Sequence, residues 1–125
     1  MRRRDYLPGL GPAERAQVAY YAVYPNLLLA PHPDFLLTHL LWPKGPDRTE
    51  IVCEFHFHPA EIAKPDFVCE DAVELWDLTN REDWRISELS QQGIASRAYE
   101  PGPYSQREEL LWAFDRMVEG AQMLD

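Results

Sequence analysis

Four apolar runs separated by short, proline-rich connections fill the first half of the chain and constrain its fold more than any other feature. Their aromatic and β-branched residues are typical of strands. The runs cover residues 18–24, 27–30, 35–42 and 49–58. Because connections this short can join only antiparallel neighbours, the sequence predicts an antiparallel meander.

The fourth run alternates between apolar and polar residues, which predicts one buried and one open face. The expected buried face carries Ile51, Cys53, Phe55 and Phe57, and the other face carries Glu54, His56 and His58. In other folds a His-x-His pair on one strand face binds a metal, so His56 and His58 are candidate ligands. The preferred interpretation is two polar residues at a rim or in solvent, because this spacing is common by chance and Pro59 ends the strand.

The second half of the chain predicts helices packed on this sheet. Pro65 suits the first turn of a helix, where its missing N–H costs nothing. The segment Thr79-Asn80-Arg81-Glu82 fits a capping box and predicts a break near residues 78–80. A second helix is then expected to run to about Gln92, with Gly93 as its left-handed stop.

A further capping box, Ser105-Gln106-Arg107-Glu108, predicts a last helix with one buried apolar stripe. The stripe consists of Leu110, Leu111, Phe114, Met117, Val118 and Ala121. Strands followed by helices in a chain of 125 residues are typical of a single α+β domain, which we expect over residues 1–125.

The charge distribution argues against some classes of partner. The formal net charge is −9, and residues 61–125 carry fifteen acidic residues against six Lys or Arg, whereas residues 1–60 are balanced. Phosphate contacts need clustered Lys or Arg, so neither nucleic acid nor an anionic membrane is an expected partner. No apolar run approaches the ~20 residues that span a bilayer. Because no signal peptide is predicted either, we expect a soluble, cytoplasmic protein with Cys53 and Cys69 as reduced thiols.

Asp83 is the carboxylate most open to a chemical interpretation. In the first turn of the predicted second helix, the helix dipole alone would be a sufficient reason for its presence. The helical face that it shares is unusually polar for one that contacts a sheet, which favours a cavity there. This face carries Ile86, Ser87, Ser90 and Gln91. The tryptophans, at positions 42, 76, 84 and 112, would serve a pocket wall or a core, and a core is the preferred interpretation.

A series of short motifs runs in order from about residue 7 to about residue 120. It comprises Tyr24-Pro25-Asn26-Leu27-Leu28-Leu29, His32-Pro33-Asp34, Leu41-Trp42-Pro43, Pro46-Asp47-Arg48-Thr49, Val52-Cys53-Glu54-Phe55, Phe57-His58-Pro59, Leu75-Trp76-Asp77, Thr79-Asn80-Arg81-Glu82-Asp83-Trp84, Gln91-Gln92-Gly93, Ser96-Arg97 and Pro101-Gly102-Pro103. Together they resemble the C-terminal part of the catalytic domain of Rieske-type ring-hydroxylating oxygenase α subunits. The branch looks like the one that acts on carnitine, choline and related substrates, as well as aromatic acids.

The resemblance implies a partial helix-grip (START/Bet v1-like) fold, in which a curved antiparallel sheet and C-terminal helices enclose a pocket. In the family this pocket holds a mononuclear non-haem iron(II), bound by two histidines and one carboxylate. The carboxylate comes from an Asp with a Glu five residues on and a Gln eight residues on, a spacing that Asp83, Glu88 and Gln91 match. The resemblance therefore implies that Asp83 is an iron ligand. The expected pocket residues are Trp76, Trp84, Ile86, Ser87 and Ser90.

The sequence also departs from the family pattern. The family's histidine ligands lie upstream in a segment that residues 1–20 do not resemble, and this chain lacks the paired CxH and CxxH motifs of a Rieske domain. We therefore expect a chain that is inactive alone, and three interpretations stay open: a split-gene subunit, a truncated open reading frame or a degenerate relative. In the enzyme version, a Rieske-domain-bearing partner chain supplies the histidines and the cluster. The implied reaction is hydroxylation or oxidative demethylation of a small organic substrate with dioxygen.

Two other function classes stay open at this point. One is a non-catalytic helix-grip module that binds a small ligand in its cavity. The other is an interaction subunit that homo-oligomerises through open sheet edges and apolar faces.

Overall fold

The structure, a computed structural model, describes residues 4–122 and consists of a sheet followed by helices, which confirms the predicted α+β class. The strands are β1 (Tyr21–Val23), β2 (Leu27–Pro31), β3 (Phe35–Gly45) and β4 (Arg48–Phe57), and the α-helices are α1 (Pro59–Ile62), α2 (Glu70–Ile94) and α3 (Glu109–Gln122). The chain divides into two compact units, the first ending at Glu88 and the second beginning at Leu89. The single domain expected over residues 1–125 stays a prediction. None of the helices within residues 4–122 has the length and apolar character that a membrane crossing requires.

The four strands form one antiparallel sheet in chain order, β1-β2-β3-β4, which confirms the predicted meander. β3 and β4 make the longest pairing, and it places His39 directly opposite Cys53. The alternation predicted for β4 is confirmed, because its apolar face packs on the core while Glu54 and His56 are exposed.

The ends of the predicted strands differ from the observed ones, and β3 continues to Gly45 through residues 43–45, which were expected in a connection. Residues 18–20 lie outside β1, which is only three residues long and exposed throughout. His58 lies beyond β4, where its Nδ1 accepts a hydrogen bond from the backbone N–H of Ala60 and caps α1. Pro59 occupies the first turn of α1, so it starts a helix at the point where it ends the strand.

The core of the first unit lies between the sheet and the start of α2. Its buried members are Ala30, Phe35, Leu37 and Ala72, and the half-buried Cys53, Phe55, Phe57 and Trp76 pack against them. His32 stacks on Phe35 with 4.2 Å between ring centroids and meets the edge of Trp76 at 5.6 Å. Burial lowers the pKa of His32, only partly opposed by Asp34, so this imidazole belongs to the core as a neutral ring.

Arg4 is buried beside this core, with only 6% of its surface exposed. Its Nε donates to Asp34 Oδ2 at 3.0 Å, and its Nη1 donates to the Val68 carbonyl oxygen at 2.8 Å and to Asp71 Oδ1 at 2.5 Å. The guanidinium also lies over two phenylalanine rings of the core, 5.7 and 5.3 Å from their centroids. Burial by itself would lower the pKa of Arg4, but Asp71 and Asp34 outweigh it and raise the pKa above its usual value. Arg4 therefore joins the N-terminal segment, the β2–β3 turn and the start of α2.

α2 is one continuous helix of 25 residues, so the predicted break near residues 78–80 is wrong. The hydroxyl of Thr79 donates back to the Leu75 carbonyl oxygen at 3.0 Å instead of capping a new helix. Back-bonding of this kind lets a threonine sit inside a helix with its hydroxyl satisfied. The capping-box pattern was therefore present without the helix start that it predicts.

The predicted start at Pro65 and the predicted left-handed stop at Gly93 are also wrong, whereas the expected end near Gln92 is close to the observed end at Ile94. α2 begins at Glu70, and Pro65 precedes it in a turn that is closed by a bond from the Phe67 N–H to the Lys64 carbonyl oxygen. Gly93 lies within the helix and lacks the positive φ that a left-handed stop requires.

The second unit contains α3 and the loop before it. The backbone N–H of Ser105 donates to Glu108 Oε2 at 2.6 Å, which confirms the glutamate half of the predicted capping box and lowers the pKa of Glu108. The predicted burial of the α3 stripe is wrong, since Leu110 is 84% exposed and Phe114 and Met117 are exposed as well. A helical period shows which residues share a face, but it does not supply a surface to cover them.

Replacing Arg4 by methionine tests whether this cation holds the first unit together. We expect Arg4→Met to lower the free energy of unfolding by about 3 kcal/mol, because two carboxylates lose a shared buried counter-charge. Denaturant titration followed by tryptophan fluorescence measures the loss. The control is Arg81→Met, which breaks only the exposed pair with Asp77 and should leave the midpoint unchanged. Equal losses in the two variants would contradict this role for Arg4.

Candidate functional site

A cavity of about 290 Å³ lies between the sheet and α2, within the first unit. Apolar side chains of β2, β3 and β4 form one part of its wall. The remaining residues are four aromatic and three polar ones: Tyr20, Tyr21, Trp76 and Trp84, with His39, Asn80 and Asp83. We call this space the aromatic cavity.

α2 contributes four of these residues from a single face. Trp76, Asn80, Asp83 and Trp84 follow one another at the spacing i, i+4, i+7 and i+8, and the buried Ala72 extends the same face into the core. They share a face because the helix is continuous through residues 78–80. A helix broken there would have placed the tryptophan and the aspartate on separate elements.

The continuity of α2 also changes the interpretation of Asp83. Asp83 lies in the middle of α2 and not in a first turn, so its predicted position at a helix start is wrong. The helix dipole acts on side chains only within the first and last turns, and it gives no reason for a carboxylate here. The helix-dipole explanation for Asp83 is therefore removed. Asp83 is at an exposed position of the helix and also belongs to the wall of the aromatic cavity.

Asn80 is the buried polar contact between α2 and the sheet, with 7% of its surface exposed. Its Oδ1 lies 3.2 Å from His39 Nε2 on β3, and its Nδ2 donates to Cys53 Sγ on β4 at 3.6 Å. The two sheet residues also approach each other, with 3.5 Å between Cys53 Sγ and His39 Nε2. We call these three side chains the Asn80 network. Burial raises the pKa of the Cys53 thiol, partly opposed by Asn80, so the sulfur is present as S–H.

The predicted pocket residues separate into two groups. Trp76, Trp84 and Asp83 line the aromatic cavity, whereas Ile86, Ser87 and Ser90 are at exposed positions of α2 outside that lining. Ile86 is 62% exposed, and the Ser87 hydroxyl donates to the Asp83 carbonyl oxygen at 2.9 Å. The assignment of the exposed three to a pocket stays a prediction.

Among the aromatic and polar residues of the cavity wall, four were not predicted from the sequence: Tyr20, Tyr21, His39 and Asn80. Asn80 lies four residues after Trp76, and this spacing places the two on one face only if the helix is continuous. His39 is one of two polar residues in the otherwise apolar run 35–42, which is a signal for a polar partner on a neighbouring element.

The two candidate metal ligands, His56 on β4 and His58 just beyond it, have other contacts. His56 Nε2 lies 3.1 Å from Thr38 Oγ1 and 3.8 Å from Glu54 Oε2, and His58 caps α1. In the described part of the chain, no three His, Cys, Asp or Glu side chains are grouped so that they could hold a metal ion. The residues present therefore do not by themselves form an iron site around Asp83.

Comparison with known proteins gives concordant matches. Residues 2–122 match the family described as ring hydroxylating alpha subunit (catalytic domain). A glycine betaine monooxygenase oxygenase subunit from Pseudomonas aeruginosa is 34% identical over 91 residues, which cover 68% of this chain and 21% of that protein. The chloroplastic choline monooxygenase of Arabidopsis thaliana is 28% identical over 90 residues, covering 72% of this chain and 21% of that protein. The chain thus spans about a fifth of the length of these relatives.

Replacing Asn80 by alanine tests the contact between helix and sheet. We expect Asn80→Ala to lower the free energy of unfolding by roughly 1–3 kcal/mol, because a buried imidazole N–H loses its acceptor. The higher helix propensity of alanine returns only about 0.5 kcal/mol of this. Ser87→Ala, at an exposed position of the same helix, is the control and should change stability by less than ~0.5 kcal/mol. If both variants unfold at the same denaturant concentration, the network does not hold α2.

Proposed function

This chain belongs to the ring-hydroxylating α-subunit family, matching its catalytic domain over residues 2–122, and from that membership we propose that it forms part of a Rieske-type oxygenase catalytic domain. In this proposal the chain provides the substrate cavity and one carboxylate, Asp83. The observation that carries the proposal is the position of Asp83 in the wall of the aromatic cavity, beside Trp76 and Trp84. The complete fold would be of the helix-grip type, of which the sheet and helices described above are a part.

The ligand set of the proposed iron site would have to be completed by residues outside those that the structure describes. Asp83 is one carboxylate, and one carboxylate does not hold iron(II) firmly. His39, the histidine of the aromatic cavity, is engaged by Asn80 and Cys53. We therefore propose that a partner chain or another part of a longer protein supplies two histidines and the Rieske cluster. Hydroxylation or oxidative demethylation belongs to that assembly and not to the isolated chain.

The class of substrate follows from the cavity wall and from the relatives together. Glycine betaine and choline, which appear in the relatives' names, both carry a trimethylammonium group. They differ at the other end, which is a carboxylate in glycine betaine and a hydroxyl in choline. Aromatic faces attract quaternary ammonium groups through cation–π interactions, and the aromatic cavity has four aromatic residues and the carboxylate of Asp83. We propose a small quaternary ammonium compound as the substrate.

A second candidate function is binding of the same ligand class without chemistry. It is favoured by the fact that all the residues lining the aromatic cavity come from the first unit, so this cavity needs no partner to form its described wall. Homo-oligomerisation, the third function class, is supported by the exposed apolar residues of α3 and stays a prediction.

Binding of tetramethylammonium tests the cation site. We expect the chain to bind this ion, with a change in tryptophan fluorescence, and Asp83→Asn to weaken binding about threefold through loss of one partly solvated counter-charge. Trp84→Leu should weaken it at least as much, because a cation–π partner is removed.

Two matched controls accompany this measurement. Glu82→Gln makes the same change in net charge at a neighbouring exposed position, and Trp42→Leu removes a tryptophan of the same unit that lies outside the cavity lining. Both should leave the dissociation constant unchanged. If Glu82→Gln weakens binding as much as Asp83→Asn, the ion responds to overall charge and the proposed cavity site is wrong.

Iron loading tests how much of the metal site the chain contains. After anaerobic incubation with iron(II) and desalting, we expect the purified chain to retain far less than one iron per molecule, and Asp83→Ala to retain the same trace. A single carboxylate lacks the further ligands that stable binding needs. Retention of one iron per chain that is lost in Asp83→Ala would show that this chain completes the site by itself.

A further inference from the structure

The proposed function leaves open which end group the substrate carries besides its ammonium group. A carboxylate needs a cationic partner when it leaves water, and a hydroxyl needs only a neutral hydrogen-bonding group. Among the described residues that line the aromatic cavity, none is Lys or Arg, and the ionisable side chains are Asp83, His39 and the two tyrosines. A ligand carboxylate would therefore meet a like charge at Asp83 without a guanidinium or ammonium group to offset it.

The hydrogen-bonding state of His39 follows from its contact with Asn80. An amide oxygen can only accept, so the 3.2 Å approach of Asn80 Oδ1 to His39 Nε2 places the ring proton on Nε2. A neutral imidazole carries one proton, and Nδ1 is then an acceptor. In the structure the Asn80 amide nitrogen is turned to Cys53 Sγ at 3.6 Å and its oxygen to the imidazole ring. In this arrangement the Asn80 network holds the His39 ring with Nε2 as the donor.

The ring of His39 belongs to the wall of the aromatic cavity. His39 lies on β3 in the cavity wall, and its ring meets Trp76 at 6.1 Å with an interplanar angle of 65°. A ligand whose ammonium group lies among the aromatic residues would bring its other end within reach of the same wall, because the cavity is only about 290 Å³. An imidazole acceptor takes a hydrogen bond from a hydroxyl but not from a carboxylate.

Resting on the proposed quaternary ammonium site, we propose that His39, oriented by Asn80 and Cys53, is a specificity-determining residue that selects ligands with a hydroxyl end group over those with a carboxylate. His39 takes no part in oxygen chemistry in this account. It favours a choline-like compound and disfavours a betaine-like one. Sequence identity alone would favour a betaine-like compound, because the glycine betaine monooxygenase subunit is 34% identical to this chain and the choline monooxygenase is 28% identical.

Three ligands of similar size test the proposal on the unaltered chain at pH 8. They are choline, ethyltrimethylammonium and glycine betaine, measured by calorimetry. We expect choline to bind about 3–10-fold more tightly than ethyltrimethylammonium, which is the effect of one neutral hydrogen bond. Glycine betaine should bind more weakly than both. Tighter binding of glycine betaine than of choline would overturn the proposal.

Substitution of His39 then assigns the selectivity to this side chain. In His39→Phe the choline advantage should disappear, while the affinity for ethyltrimethylammonium changes less than twofold. His56→Phe, on an exposed face of the neighbouring strand, is the matched control and should keep the advantage. A merely structural role would weaken all ligands alike and leave their ratio unchanged, which would contradict the proposal. If His39→Phe does not fold, Asn80→Leu is the second variant, and it should reduce the ratio because the acceptor that holds the ring proton on Nε2 is lost.

Failure of this proposal and failure of the proposed function give different results. If ethyltrimethylammonium binds and choline binds no more tightly, His39 is not selective, and the quaternary ammonium site stands. If none of the three ligands binds, the site itself is wrong, and the selectivity of His39 is overturned with it.

Discussion

The buried guanidinium of Arg4 is the interaction on which the first unit depends. It bonds Asp34 in the β2–β3 turn and both Val68 and Asp71 at the start of α2, so one side chain fixes where the helix meets the sheet. Such a cation is stable under the core rings only because two carboxylates and a carbonyl oxygen replace its water. The position of everything further along α2, including Asp83, follows from this anchor and from the second contact that Asn80 makes with the sheet.

The sheet could be predicted from the sequence because its signals are local. Short connections force antiparallel pairing, and the alternation in β4 identifies its buried face without knowledge of the partner strand. The helices were less predictable because their signals depend on tertiary contacts. Thr79 to Glu82 fits a capping box, but the Thr79 hydroxyl is satisfied by Leu75 and Asn80 is satisfied by β3 and β4, so α2 continues. The period of α3 was visible, whereas the absence of a covering surface among the described residues was not.

The candidate site also has residues that local sequence patterns could predict and residues that only tertiary contacts reveal. Asp83 was singled out by the spacing that it shares with Glu88 and Gln91, and Trp76 and Trp84 were expected beside it. His39 and Asn80 could not be predicted, because their pairing joins residues 41 positions apart. Correcting the helix boundary removes the helix dipole as a reason for Asp83 and leaves it as an exposed carboxylate in the cavity wall. What the chain provides is thus a cavity wall with one carboxylate, and the region that it shares with its relatives is about a fifth of their length.

The central claim is that a quaternary ammonium group lies in the aromatic cavity beside Asp83. The most direct measurement is the set of nuclear Overhauser effects between the methyl protons of tetramethylammonium and the protein. We expect effects to the indole protons of Trp76 and Trp84, which line the aromatic cavity, and none to Trp42, a tryptophan of the same unit outside that lining. Effects confined to Trp42, or none at saturating ligand, would contradict the claim.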